Sequence, residues 1–184
     1  MFACQHENVT PDFLCLAKGL TGGYLPLAAT LTSERIYEGF LGKHEEFRTF
    51  FHGHTYTGNP LACAAGLATL DVFREERTLE WLQPKIELLG ELLRPIEAHP
   101  AVREVRRRGL MVGIELAEHP LPARIGQRVA LEARRRGAII RPLGDVVVLM
   151  PPLAISSEQL TRLVDVTAEA IDAATDAVEL SAAA

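Results

Sequence analysis

Cysteine is scarce in this chain. Only Cys4, Cys15 and Cys63 occur in 184 residues, an odd number with no C-x-x-C spacing, which excludes a disulfide framework and a thiolate zinc site. They are expected to be free, buried thiols. Long apolar runs are missing too, and nothing approaches the ~20 residues that a membrane-spanning helix needs. The opening Met1-Phe2-Ala3-Cys4-Gln5-His6-Glu7 lacks the basic and apolar regions of a secretory signal, so the expected location is the cytoplasm. Among the six histidines, His52-Gly53-His54 is the one close pair, and no carboxylate or cysteine is spaced to join it. No metal is expected. Positive charge falls short of negative: 19 Lys and Arg against 24 Asp and Glu give a net charge of -5, which argues against nucleic acid as the main partner.

The remainder is that of an ordinary globular protein, 48% hydrophobic and 23% charged, long enough for one large domain or two small ones. Its most distinctive stretch is Phe13-Leu14-Cys15-Leu16-Ala17-Lys18-Gly19-Leu20-Thr21-Gly22-Gly23-Tyr24-Leu25-Pro26-Leu27-Ala28-Ala29-Thr30. A short apolar run delivers one lysine, and the glycines behind it force a turn that lets backbone approach a ligand. Lys18 is expected at the end of a buried strand, where burial would favour the neutral amine that carbonyl chemistry needs. A surface lysine snorkelling at a strand end is the other reading of the same residue.

Two further blocks stand out. Phe50-Phe51-His52-Gly53-His54-Thr55-Tyr56-Thr57-Gly58-Asn59-Pro60 is a polar loop leading into the small-residue segment Leu61 to Ala68, with Pro60 suited to a first helical turn. It reads as a loop aimed at the N-terminus of a buried helix, a place that favours phosphate, or as a capped loop whose hydroxyls serve their own backbone. Arg141 ends the run Ala138-Ile139-Ile140 and precedes an apolar hairpin. Its donor fork is expected against a dry surface, binding a carboxylate bidentately or closing a structural salt bridge.

Between these blocks the chain reads as alternating elements. Residues 1 to 12 read as a loop, Leu27 to Thr32 as a returning strand, and Ser33 caps a short helix from Arg35 that Gly42 stops. Leu79, Leu82, Ile86, Leu89, Leu93 and Ile96 form an amphipathic stripe from Thr78, kinked or ended by Pro84 and Pro95. After it come an alternating strand over Gly109 to Ala117, a helix through Ile125, Val129 and Ala133 ending at Gly137, and strands at Ala138 to Arg141 and Val146 to Met150 around a Pro142-Leu143-Gly144-Asp145 turn. A capping box of Ser156 with Gln159 opens the last helix. Arg106 to Arg108 and Arg134 to Arg136 read as solvated surface rather than as an RNA site.

These blocks together resemble the class III pyridoxal-phosphate aminotransferases, and within them the biotin-synthesis branch. The resemblance runs over nearly the whole chain. It implies an α/β fold: the C-terminal part of a fold type I PLP-dependent transferase, with residues 1-78 the end of the large PLP-binding domain, 79-180 the α+β small domain and 181-184 a tail. It implies pyridoxal 5'-phosphate as cofactor, held covalently by Lys18 as the catalytic amine. Thr55 and His54 would contact the cofactor, with Thr55 reaching its phosphate across a homodimer interface. Gly53, Gly23 and Arg141 would contact substrate, Arg141 by donating to the substrate's carboxylate. The implied reaction is amino transfer from S-adenosylmethionine or lysine to 8-amino-7-oxononanoate. Transfer to or from another omega-amino acid, such as ornithine or 4-aminobutyrate, and a noncatalytic fragment that only dimerises are the alternatives. In the family, the aspartate facing the pyridine nitrogen and the glycine-serine phosphate loop lie upstream of the segment where residue 1 falls. The isolated chain is accordingly expected to have a foldable C-terminal domain, a poorly supported N-terminal portion and no useful transaminase activity.

Overall fold

Among the described residues, every buried apolar side chain except Ala62 belongs to Leu82 or a residue beyond it. That asymmetry matches a division of the computed structural model into two units, Met1–Trp81 and Leu82–Ala184. The structure describes the backbone of residues 1–182 and the side chains of residues 1–176.

The first unit runs α1 (Ala3–His6), β1 (Phe13–Leu16), a 3-10 turn at Lys18–Thr21, β2 (Ala29–Thr32), α2 (Glu34–Glu38), α3 (Pro60–Glu75) and α4 (Thr78–Trp81). Residues 1 to 12 thus hold a helical turn as well as loop. Strands β1 and β2 pair antiparallel, Phe13 with Thr32 through Leu16 with Ala29. The first strand stops at Leu16, short of Lys18, and the second begins at Ala29 rather than Leu27. Helix α2 ends at Glu38 against Gly39, before the expected stop at Gly42. Helix α3 has the expected Pro60 in its first turn, and the Asn59 side chain accepts from Leu61 N and Ala62 N. It is not a buried helix, because only Ala62 and Gly66 on it are withdrawn from water. The free thiols differ from expectation for the same reason: Cys15 on the ribbon and Cys63 on α3 are exposed, and Cys4 is half-buried.

The apolar stripe that begins at Leu79 is interrupted. Helix α4 ends at Trp81, and α5 (Gln83–Glu97) starts afresh with Pro84 in its first turn, where a missing N–H leaves no helical bond unmade. Pro95 sits inside α5 close to its end.

The second unit continues β3 (Val102–Arg108), β4 (Met111–Leu116), α6 (Ile125–Arg135), β5 (Arg141–Leu143), β6 (Val146–Leu149) and α7 (Ser157–Ala182). Its antiparallel sheet has the order β3-β4-β6-β5. Strand β3 is additional to the expected elements, and β5 begins at Arg141 where the expected strand ended. Gly144 and Asp145 alone make the turn, since Leu143 already pairs with Val146. Side chains alternate across a strand, so Val112, Ile114, Val147 and Leu149 share one face. They join Leu89, Leu93, Val129, Leu160 and Ile171 in a single core. Helix α6 ends with Gly137 at φ 93 and Ala138 N bonding Ala133 O at 2.9 Å, a left-handed glycine stop. The capping box before α7 is present, Ser156 N to Gln159 Oε1 at 3.0 Å and Gln159 N to Ser156 Oγ at 3.1 Å. Of the expected tail, residues 181 and 182 belong to α7, and 183 and 184 lie outside the described residues. Among the described residues no helix is long and apolar enough to cross a membrane.

Candidate active site

Lys18 opens its turn with φ 52, a left-handed conformation that costs a side-chain-bearing residue about 1 kcal/mol or more. It is exposed rather than buried. The physical reason is that β1 has β2 as its one neighbour, and the burial pattern of the ribbon leaves Cys15 and all of β2 open to water. The amine has no hydrogen-bond or ion-pair partner among the described residues.

What holds the turn is Thr21, the threonine among the glycines that follow Lys18. It is 1% exposed, and its hydroxyl donates to Leu25 O at 2.5 Å and accepts from Leu25 N at 3.3 Å. Backbone bonds from Leu20 N to Ala17 O, Gly22 N to Gly19 O and Tyr24 N to Thr21 O close the rest. Gly22 and Gly23 lie at φ 61 and φ 85, where glycine is the unstrained choice. A Cβ on Gly23 would meet nothing within 4 Å, so backbone conformation, not crowding, selects that glycine. Helix α3 packs on the turn through Gly66, whose Cβ position lies 3.3 Å from Leu27 Cδ2 and 3.6 Å from Leu20 O.

The His54 to Asn59 loop is two overlapping turns, with Thr57 N bonding His54 O and Asn59 N bonding Tyr56 O. Both histidine and hydroxyl serve that backbone: His54 Nδ1 accepts from Tyr56 N at 3.1 Å, and Thr57 Oγ1 accepts from His54 N at 3.0 Å. Gly53 precedes them, its Cβ position 3.4 Å from Thr57 Oγ1. Thr55 is the exception. Exposed at the turn, its hydroxyl has no partner among the described residues, so the loop is capped by its neighbours and leaves one hydroxyl for something else. Upstream of the loop, Phe50 lies against Phe40 in a tilted pair at 5.4 Å between ring centroids and stacks on His52 at 5.3 Å.

Arg141 belongs to the second unit. Pro142 faces α6, its Cβ 3.1 Å from the Cβ position of Gly126, so Arg141 points to the opposite, open face of the sheet. There it stands in a row with Val148, Gly113 and Arg106. Arg141 is exposed, not held on a dry surface, because β5 is the sheet's edge. Nor does it close a salt bridge, having no carboxylate partner among the described residues. The carboxylates of that face are taken elsewhere. Glu104 and Glu115 oppose each other on β3 and β4, a repulsive pairing that Arg106 relieves by bonding both, with Arg103 3.0 Å from Glu115. The hydrogen bond from Arg106, assisted by the charge of Arg103, holds the Glu115 carboxyl below the usual range.

Lys18, Gly23, Gly53, His54 and Thr55 therefore lie in one unit and Arg141 in the other. A family model described as aminotransferase class-III matches residues 1–171. The adenosylmethionine-8-amino-7-oxononanoate aminotransferase of Nitratidesulfovibrio vulgaris is 62% identical over 183 residues, covering 96% of this chain and 34% of its own length. That of Aquifex aeolicus is 52% identical over 172 residues, covering 90% and 38%. Among solved structures, the enzyme of that name from Methanocaldococcus jannaschii aligns with a TM-score of 0.88 at 47% identity, over 94% of this chain and 42% of that one. An (S)-enantioselective omega-transaminase from Thermomicrobium roseum aligns at 0.83 and 35% identity, over 93% and 39%. The chain spans about a third to two fifths of the length of the curated relatives it matches, and its α/β structure is that of the corresponding part of class III transaminases.

Proposed function

The chain belongs to the class-III aminotransferase family, and from that premise we propose that it carries the lysine, phosphate-contact and carboxylate-contact residues of a biotin-synthesis aminotransferase. The reaction is amino transfer from S-adenosylmethionine, or from lysine, to 8-amino-7-oxononanoate, giving 7,8-diaminononanoate. The observation that carries this reading is the 62% identity to a relative bearing that activity in its name. Geometry supports it at three positions, because Lys18, Thr55 and Arg141 each present an exposed polar group with no partner among the described residues.

The residues fit pyridoxal 5'-phosphate: an unpartnered amine on a glycine turn and an unpartnered hydroxyl on a capped loop match an aldehyde and a phosphate. When bound, that cofactor supplies an electron sink for bond changes at the substrate carbon. Lys18 Nζ would hold it covalently and, as a free amine, would take the proton from the amino-bearing carbon of the donor and hand it to the cofactor carbon. Thr55 Oγ1 donates to the phosphate of the neighbouring subunit in a homodimer. His54 contacts the cofactor beside Thr55, its ring placed by the bond from Tyr56 N to Nδ1. Gly53 and Gly23 keep side chains out of the substrate path, and Arg141 grips the carboxylate with two parallel donors.

Borohydride reduction of the protein with pyridoxal phosphate tests the assignment. A stable pyridoxyl label is expected on the Lys18 peptide, and label on Lys43 or Lys85 instead would overturn it. The likeness to an omega-transaminase at 35% identity favours a second reading, an omega-amino acid substrate. Competition between keto acids for the transferred amino group separates the two.

A further inference from the structure

We propose that Thr21 is a positioning residue for Lys18: its hydroxyl latch on Leu25 holds the turn that keeps Lys18 in its left-handed backbone conformation. The functional part rests on Lys18 being the cofactor-binding amine; the structural part stands on the turn alone. Lysine gains nothing from φ 52, and a residue held there persists only where its surroundings over-determine it. The ribbon does not supply that constraint, since β1 ends at Leu16 and Ala17 is extended at φ -159. The constraint lies downstream. Thr21 is the buried polar residue of the first unit among the described residues, and it uses its one proton and a lone pair on the same residue, Leu25. That ring encloses Gly22, Gly23 and Tyr24, so the glycines, free to rearrange by themselves, are held in one arrangement. The bond from Leu20 N to Ala17 O then spans Lys18 and transmits the fixed turn to it. Helix α3 backs the same turn, with Thr69 Oγ1 3.5 Å from the Cβ position of Gly22.

Thr21→Val keeps the shape and removes both bonds, leaving Leu25 N and O unsatisfied; Thr21→Ser keeps the hydroxyl. Both are made in the full chain and read in three ways. In Thr21→Val the Leu25 amide should exchange about tenfold faster, and the backbone carbon shifts of Lys18 and Gly19 should leave their left-handed values. The ratio of borohydride-trapped pyridoxyl label on Lys18 to that on exposed Lys43 should fall about tenfold. Thr21→Ser should restore all three. Faster exchange at Leu25 with unchanged Lys18 shifts would overturn the proposal, because the latch would then be local. So would a serine variant that behaves like valine, and this variant decides alone if Thr21→Val loosens the entire first unit. Wild-type protein without preferential label on Lys18 would remove the functional reading, while the shifts and exchange would still decide whether Thr21 fixes the turn.

Discussion

Lys18 occupies a conformation that glycine adopts freely, which makes its two simplest replacements unequal. Lys18→Gly relieves the left-handed cost and Lys18→Ala does not, so the glycine variant should be more stable by about 1 kcal/mol, as read from paired urea melts, although both lose the reactive amine. Arg141 is the converse case, a side chain whose removal leaves no internal partner stranded. Arg141→Lys should leave the melting temperature unchanged but weaken binding of the carboxylate substrate by about 1.5–3 kcal/mol, the worth of a charged hydrogen bond. Titration with the oxo acid, set against titration with the amino donor, checks this, and equal losses for both would assign Arg141 a structural role. Glu132 carries the pH prediction. Its carboxyl is held below the usual range first by the hydrogen bond from Arg136 and then by the nearby Arg135. A depressed carboxylate contributes stability that is complete above its unfolded value and lost as pH falls through the lower, folded one. Wild-type protein should therefore lose melting temperature on acidification below the ordinary carboxylate value of 4.5 more steeply than Glu132→Gln, and parallel curves would refute it.

At the scale of elements, α6 approaches the Arg141 hairpin closely enough to require a glycine. A Cβ on Gly126 would lie 2.2 Å from Gly144 O and 3.3 Å from Asp145 Cα, both backbone atoms that must move. Gly126→Ala should cost about 1–3 kcal/mol, read as a lower urea midpoint, and a neutral result would mean that the hairpin shifts freely. Nothing in the sequence marked that glycine, because its role depends on a strand fifteen or so residues away in the chain. What could be read locally was the start of an element: α5 from its three-four apolar spacing, the first turn of α3 from Pro60, α7 from Ser156 and Gln159. Strand β3 escaped because its apolar residues are Val102 and Val105, three apart, with a register shift between Val102 and Glu104 that breaks the two-residue period. Its open face is arginine and glutamate, which from sequence looks like solvated loop. The site was legible as residue types and not as environment. Lys18 and Arg141 were named from their neighbours, but their exposure depends on β1 having one partner and β5 lying at an edge, which is a matter of topology.

For the whole molecule, the concentration of buried apolar residues beyond Leu82 sets an order of stability. Native-state hydrogen exchange should show the strongest protection on β4, β6 and α7, and much weaker protection on β1, β2 and α2. Residues 82–182 expressed alone should unfold cooperatively with the midpoint of the corresponding transition in the full chain; a midpoint much below it would mean that the first unit contributes to that core. The paired strands β5 and β6 add a different kind of constraint. Arg141 lies on the open face because Pro142 and Leu143 separate it from the Gly144-Asp145 turn, with Leu143 paired to Val146. Successive side chains alternate in direction, so its presentation is decided by parity. Insertions or deletions of two residues between Arg141 and the turn keep the guanidinium on the open face, whereas a change of one turns it toward the apolar layer: a deletion sets it opposite Val147 with Ile140 where it stood, and an insertion sets it opposite Leu149 with the residue that follows it in its place.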